Sequence, residues 1–410
     1  MKVLTPLLAL LVLCSSLISE DMTENNNTLD KYISKYKKEQ FNYDYEKNEA
    51  ESSKLRDTWI DPLFLNYSYQ VSEAYGGESI SQKKSIKFDQ KIFQSGGIYF
   101  GIKYAEASRR YANYSIDVAK RKMVKEAVSL LMQIKQTSLK IKKQKLQIKN
   151  SEISLSQKKE QYLSGQLDSG FLDNAVIERN FVIQSLYDIE TAKERLISTF
   201  HAISDLDYQN VLIPKLEIIE IKDFLTNNIV LKFTKSDIEK TQNLKNVTIA
   251  KYLPEIRVQA GYNWDSLKNP NFGGTTVQTP KDTAYLNYGF RVSMPLDVKS
   301  FNDMESTRVD YLKSQIVLED KKRELQAIYE QVMQNIENFD KKKLLSLENK
   351  EIYTKLLNET KELFSAGYKT EYDVGLLENS VAISEIDYQI FEIDKQLELL
   401  TLYEMYKKEY

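Results

Sequence analysis

A run without breakers constrains this chain more than any other feature. From about Val298 to Phe364 there is neither proline nor glycine, and the residues are strong helix formers. Apolar positions recur three and four apart, as Leu312, Ile316, Leu325, Ile328, Val332, Ile336, Phe339, Leu356 and Leu363, which is the spacing of one helix face. A helix of that length is ~100 Å long, far beyond what a globular core needs. Gly367 follows and suits the left-handed residue that ends a helix. Thr370 stands where an N-cap belongs, and a return helix is expected over Tyr372–Tyr406.

The same plan occurs earlier. A helix is expected from Ala105 to Leu163, about 59 residues and ~88 Å. Gly165 ends it, Asp168 or Ser169 caps the next helix, and the chain returns over Phe171–Ser204. Only 13 Gly and 7 Pro in 410 residues agree with few loops and long elements.

Between the helices the period changes from 3.6 to 2. Leu63, Leu65, Tyr67, Tyr69 and Val71 alternate with Phe64, Asn66, Ser68, Gln70 and Ser72, the pattern of a strand with one apolar and one mostly polar face. A loop is expected over Glu73–Lys84, around Gly76-Gly77. Ser85–Tyr104 alternates again, with Gly96-Gly97 expected as a bulge before Ile98, Phe100 and Ile102. Ile256, Val258, Ala260, Tyr262 and Trp264 form a third two-faced strand. A loop with Pro270, Gly273-Gly274 and Pro280 leads to the fourth, which holds Ala284, Leu286, Tyr288, Phe290, Val292 and Met294.

Short helices precede each strand pair, Thr28–Lys54 and Lys235–Lys251. One unit therefore occurs twice, with Pro62 matching Pro254, Gly101 matching Gly289 and Gly165 matching Gly367. Residues 1–19 read as an export signal, residues 20–204 as the first repeat, 205–234 as a linker and 235–410 as the second repeat. The return helices are too short to cover the long ones, so the short helices are expected to stack on them end to end.

The export reading rests on Lys2, the apolar run Val3–Val12 and the small and polar residues up to Ser19. Cys14, the only cysteine, is expected to leave with the signal. Its surroundings resemble a lipoprotein box only faintly, because Leu13 replaces the small residue. No later stretch offers the ~18 apolar residues of a spanning helix. Entry into a membrane therefore requires a β-barrel.

Four strands cannot close a barrel, since single-chain barrels begin at about eight. Two chains would supply eight strands and three would supply twelve, and a water-filled bore needs more than eight. Asn66, Ser68, Gln70, Arg257, Gln259, Asn263 and Arg291 are expected to face that bore, with the alternating Leu, Tyr, Val and Ile facing lipid. The 27 tyrosines suit such interfaces.

Two further stretches, Leu253-Pro254-Glu255-Ile256 with Gly261-Tyr262 and Gly367-Tyr368-Lys369-Thr370-Glu371-Tyr372-Asp373-Val374, complete a likeness. Together with the duplicated plan they resemble the TolC-type trimeric outer-membrane efflux channels over nearly the whole mature chain. The resemblance implies a mainly α-helical subunit with long hairpins forming a periplasmic α-barrel. Four strands per chain would join a 12-stranded barrel. It also implies a homotrimer in outer-membrane lipid, extending into the periplasm, with a periplasmic adaptor and an inner-membrane transporter as partners. In that family the closed tip is held by a tyrosine and an arginine and lined by two aspartates. Phe364 stands at the tyrosine position and Lys369 at the arginine position. Asp373 matches the first aspartate and Leu376 replaces the second, with Glu371 and Glu378 as substitute acids. Phe171 holds the aspartate place in the first repeat, so only the second hairpin carries the acid. Asp373 alternatively serves as a first-turn acid complementing the helix dipole.

Other functions find little support. His201 is the only histidine, so no His/Cys metal site can form within one mature chain, and His201 is expected to pack or lie on the surface. No phosphate loop, nucleophile elbow or zinc-binding His pair occurs. No enzyme activity or cofactor is expected. A formal net charge of −2 calls for no nucleic acid. The basic stretch Lys140, Lys142, Lys143, Lys145 and Lys149 lacks interleaved aromatics and reads as a solvated helix face. A periplasmic coiled-coil scaffold would share the long helices but has no use for two-faced strands.

Overall fold

A computed structural model describes residues 29–73, 78–268, 271–272, 275–276 and 281–407. The expected export signal, Cys14 and the Gly76-Gly77 and Gly273-Gly274 pairs of the expected loops lie outside these residues. A helical turn at Leu29–Tyr32 leads into α1 (Lys35–Arg56), followed by β1 (Phe64–Ser72), β2 (Ser79–Phe93), α2 (Gly97–Leu163) and α3 (Ser169–Ile203). The second half holds α4 (Ile221–Thr226), α5 (Ile229–Lys251), β3 (Glu255–Lys268), a two-residue hairpin of β4 (Asn271–Phe272) and β5 (Thr275–Thr276), β6 (Lys281–Ser293), α6 (Ser300–Ser365) and α7 (Glu371–Met405).

The duplication is close. Helices of 22, 67 and 35 residues in the first half match helices of 23, 66 and 35 residues in the second. The helices form a layer with α2 at its centre, packed against α1, α3, α5 and α7, while α6 lies along α5 and α7. Each short helix continues a return helix end to end. Ser34 N donates to Ile203 O at 2.8 Å, joining the start of α1 to the end of α3. Lys407 N donates to Asn227 O at 2.9 Å, and Asn228 bridges Tyr406, joining α5 to α7 in the same way. Each long helix is therefore flanked along most of its length.

Four strands form one antiparallel sheet in the order β1-β2-β3-β6. The register places Leu65, Ile86, Tyr262 and Leu286 side by side, and Lys91, Arg257 and Arg291 side by side in the opposite phase. The apolar face is exposed in one chain, from Leu65 and Tyr67 on β1 to Tyr288 and Phe290 on β6. Strands β1 and β6 each keep one unpaired edge among the described residues.

Several boundaries differ from expectation. Gly96-Gly97 is no bulge: Gly96 takes φ +88° and α2 starts at Gly97, so Ile98, Phe100 and Ile102 are helical. Gly101 is helical too and does not match Gly289 in β6. The register shift in β2 falls between Lys91 and Phe93. Strand β2 begins at Ser79, within the expected loop. Helix α5 starts at Ile229, because Asn228 caps the Val230 and Leu231 N–H groups. The core lies where α2, α3, α7 and the 205–228 segment meet, around Leu131, Met132, Phe200, Phe224, Leu399 and Leu402.

Candidate pore-constriction site at the hairpin tips

Both hairpins end in the same backbone device. Gly165 and Gly367 take φ +74° and +81°, the left-handed conformation that costs a side chain energy and glycine little. In the first tip Gln166 N donates to Gln161 O at 2.8 Å, and in the second Tyr368 N donates to Leu363 O at 2.8 Å. This bond across five residues closes a helix C-terminus while turning the chain. Asp168 then accepts from Gly170 N at 2.8 Å and starts α3.

The second tip carries every residue expected at the constriction. Thr370 caps α7: its hydroxyl oxygen accepts from Asp373 N at 3.3 Å, and Thr370 N donates to Asp373 Oδ2 at 2.9 Å. The Thr370 hydroxyl also donates to Asp373 Oδ2, at 2.8 Å. These bonds hold the Asp373 carboxyl below the usual carboxylate range, with a smaller contribution from the Lys369 charge. Asp373 is therefore a helix-capping carboxylate that stays ionised in neutral water. Phe364, in the last turn of α6, is partly exposed, and Lys369 and Glu371 are exposed. Neither Lys369 nor Glu371 forms an ion pair within one chain among the described residues. Glu378 pairs with Lys361 of α6 at 2.7 Å.

Contacts between the two hairpins escaped the sequence reading. Tyr372 donates its hydroxyl to Glu160 Oε1 at 2.8 Å, which pushes the tyrosine pKa up. Farther from the tip, Asn379 donates to Asn150 Oδ1 at 2.7 Å. A Cβ at Gly375 would stand only 3.1 Å from Ile153 Cδ1, so glycine lets α7 approach α2 there. These pairs join residues more than 200 positions apart, and no local motif announces them.

At the other end, the polar sheet face is a bonded network. Arg257 donates to Asp89 Oδ1 at 2.7 Å and to Asp61 Oδ2 at 2.6 Å. Gln259 donates to Asp89 Oδ2 at 2.9 Å, and Arg291 to Gln259 Oε1 at 3.3 Å. Arg257, Gln259 and Arg291, expected on the polar face, are thus brought together. Asn263 meets Asn287 at 3.0 Å. The register carries Asn66, Ser68 and Gln70 in the same phase, opposite Ser85, Lys83 and Ser81. Of the basic helix stretch, Lys143 pairs with Asp387 at 2.7 Å, while Lys140, Lys142, Lys145 and Lys149 are exposed. His201 is exposed and lies edge-on to Tyr208.

No protein-family model matches the sequence, and no curated protein matches it. Solved structures do. The outer membrane protein VceC of Vibrio cholerae superimposes with a TM-score of 0.69 at 12% identity, over 90% of this chain and 93% of that one. The Campylobacter jejuni CmeC outer membrane channel gives 0.69 at 11% identity, over 94% and 87%. The open state of the Neisseria gonorrhoeae MtrE outer membrane channel gives 0.60 at 12% identity, over 89% and 84%. With its duplicated helical hairpins, four-stranded sheet and glycine-turned tips, the chain has the fold of the TolC-type outer-membrane channels.

Proposed function

We propose that three copies of this chain form an outer-membrane channel. Twelve strands would make the barrel and twelve helical columns a tunnel across the periplasm. The sheet carries this reading. Its outward row of Leu65, Ile86, Tyr262 and Leu286 has no cover in one chain, while its opposite face is a bonded polar network. Water on the first face and unpaired edges in lipid are both unfavourable, the latter by several kcal/mol per backbone group. Pairing β6 of one copy with β1 of the next removes the edges, and lipid covers the apolar face. No helix among the described residues is long and apolar enough to cross a membrane. The helical layer has open flanks as well: Ile177 and Phe181 on α3 and Ile316 and Leu344 on α6 are exposed and suit the seam between neighbours.

In this arrangement residues 1–19 direct export. The tip residues Asp373, Lys369, Glu371 and Phe364 line the narrow end, where a periplasmic adaptor and an inner-membrane transporter deliver the substrate. Three capped Asp373 carboxylates converging there would favour cations. A wide polar duct has no specificity pocket, and transport through it needs no catalysis or cofactor.

The test is reconstitution. Detergent-extracted protein should run as a heat-modifiable trimer from the outer-membrane fraction and give discrete conductance steps in planar bilayers. A water-soluble single subunit without conductance would sink the proposal.

A further inference from the structure

The two halves of the chain turn from sheet to long helix differently. In the first half β2 ends at Phe93 and α2 begins at Gly97, leaving a polar corner of Gln94, Ser95 and Gly96. That corner is tied down: Gly97 N donates to Gln94 O, and the Ser95 hydroxyl donates to Pro254 O at 2.8 Å. In the second half β6 ends at Ser293 and α6 begins at Ser300, so the corner is three residues longer. It reads Met294-Pro295-Leu296-Asp297-Val298-Lys299. In sequence, Met294 and Leu296 follow the alternation of Leu286, Tyr288, Phe290 and Val292 past the last paired residue, and Val298 stands in the turn that starts α6.

Leu296 and Val298 are 90% and 91% exposed, and Phe301 in the first turn of α6 is 77% exposed. The corner is held all the same: Asp297 accepts from Lys299 N through its side chain at 2.9 Å and from Ser300 N through its carbonyl at 3.0 Å. Apolar, uncovered residues held by hydrogen bonds directly after the row proposed above to face lipid call for lipid as their cover.

We propose that Leu296, Val298 and Phe301 form a wedge that enters the periplasmic leaflet of the bilayer, one wedge per subunit. The lipid acyl chains just below the headgroups are its partner. This rests on the membrane reading above and adds an asymmetry of degree: the corner residues after β2, Gln94, Ser95 and Gly96, carry no apolar side chain, and Tyr99 in the first turn of α2, 59% exposed, is the one ring placed like Phe301. The wedge fixes the height of the barrel in the bilayer from one side of each subunit.

The chain's two tryptophans make the test direct. Trp264 lies in the outward phase of the sheet, in line with Lys84 and Ala284. A Val298→Trp variant in a Trp59→Phe, Trp264→Phe background is reconstituted in phosphatidylcholine vesicles brominated at shallow or deep acyl positions. The Trp59→Phe protein, which keeps Trp264, is the control. The expected result is a blue-shifted emission from the Val298→Trp indole, quenched more by shallow than by deep bromines. Phe301→Trp in the same background should behave alike, and neither site loses packing within the subunit. Quenched Trp264 with unquenched indoles at both new sites overturns the wedge and leaves the membrane reading standing. A blue-shifted but unquenched indole means that a neighbouring subunit covers the corner, and a red-shifted one means water; either overturns the wedge. If Trp264 is not quenched either, the membrane reading falls with it.

Discussion

Tyr372, in the first turn of α7, donates its hydroxyl to Glu160 Oε1, in the last turn of α2, at 2.8 Å. This bond joins the tip of the second hairpin to that of the first, and it lies on the surface. A bond to an ionised acceptor is stronger than a neutral one but is weakened by water and salt. Phenylalanine at 372 keeps the ring and removes the bond. Tyr372→Phe should therefore loosen the tip, raising the fraction of time that reconstituted channels are open, with barrel heat-stability unchanged. Single-channel recording checks this, and identical gating in both proteins would mean that the link carries no load.

The capping box makes a pH prediction. Thr370 holds the Asp373 carboxyl below its usual range. A carboxylate with a lowered folded pKa contributes stability above its unfolded value of ~3.9, and that contribution is lost as the pH falls through the folded value. Hydrogen exchange at the start of α7 should be well protected at neutral pH and lose protection only below about pH 4. Asp373→Asn should remove the acid step, and Thr370→Ala should weaken the turn at all pH values by ~1 kcal/mol. Asp373→Asn should also lower cation preference; unchanged selectivity would leave Asp373 as a cap and nothing more.

How far the sequence can be read depends on whether the deciding interaction is local. Gly165 and Gly367 are legible because a helix end needs a residue at positive φ, and both adopt it. The strand faces are legible because period-2 alternation survives in the register, from Leu65 through Ile86 to Tyr262. The start of α2 is hidden, since Gly96 supplies no capping side chain and Ile98, Phe100 and Ile102 imitate a strand. Asn228 does cap α5, but the β-branched Ile229 and Val230 after it mask the signal. Tyr372–Glu160 and Ser34–Ile203 join distant residues, so only the folded chain reveals them.

Asp394 on α7 is half-buried against α2, where Gln136 donates to its Oδ1. Burial pushes its pKa up, opposed by that bond and by the charges of Lys140 and Lys342. An acid with a raised folded pKa costs stability once the pH exceeds its unfolded value of ~3.9, because the fold disfavours the charged form. Asparagine keeps the shape and the accepting oxygen. Asp394→Asn should therefore melt higher than wild type at neutral pH, and the gap should close in acid. A lower melting point at neutral pH would show that the charge itself is favourable there.

The register of α6 on α7 should respond to charge exchange. Lys343 pairs with Glu392, and one heptad closer to the tip Lys350 pairs with Glu385 at 2.5 Å, with Lys361 and Glu378 beyond them at 2.7 Å. Lys350 holds the Glu385 carboxyl below its usual range, yet both side chains are about 40% exposed. Such pairs couple by only ~0.2–1 kcal/mol and fade with salt. Lys350→Glu should lower the thermal midpoint by setting two carboxylates together, and Glu385→Lys should do so by setting two ammonium groups together. The double exchange should recover most of the loss at low ionic strength. A thermal double-mutant cycle in low and high salt checks this. If the double variant is as unstable as the sum of the singles, the two side chains are not coupled, and apolar packing alone sets the pairing of the hairpin.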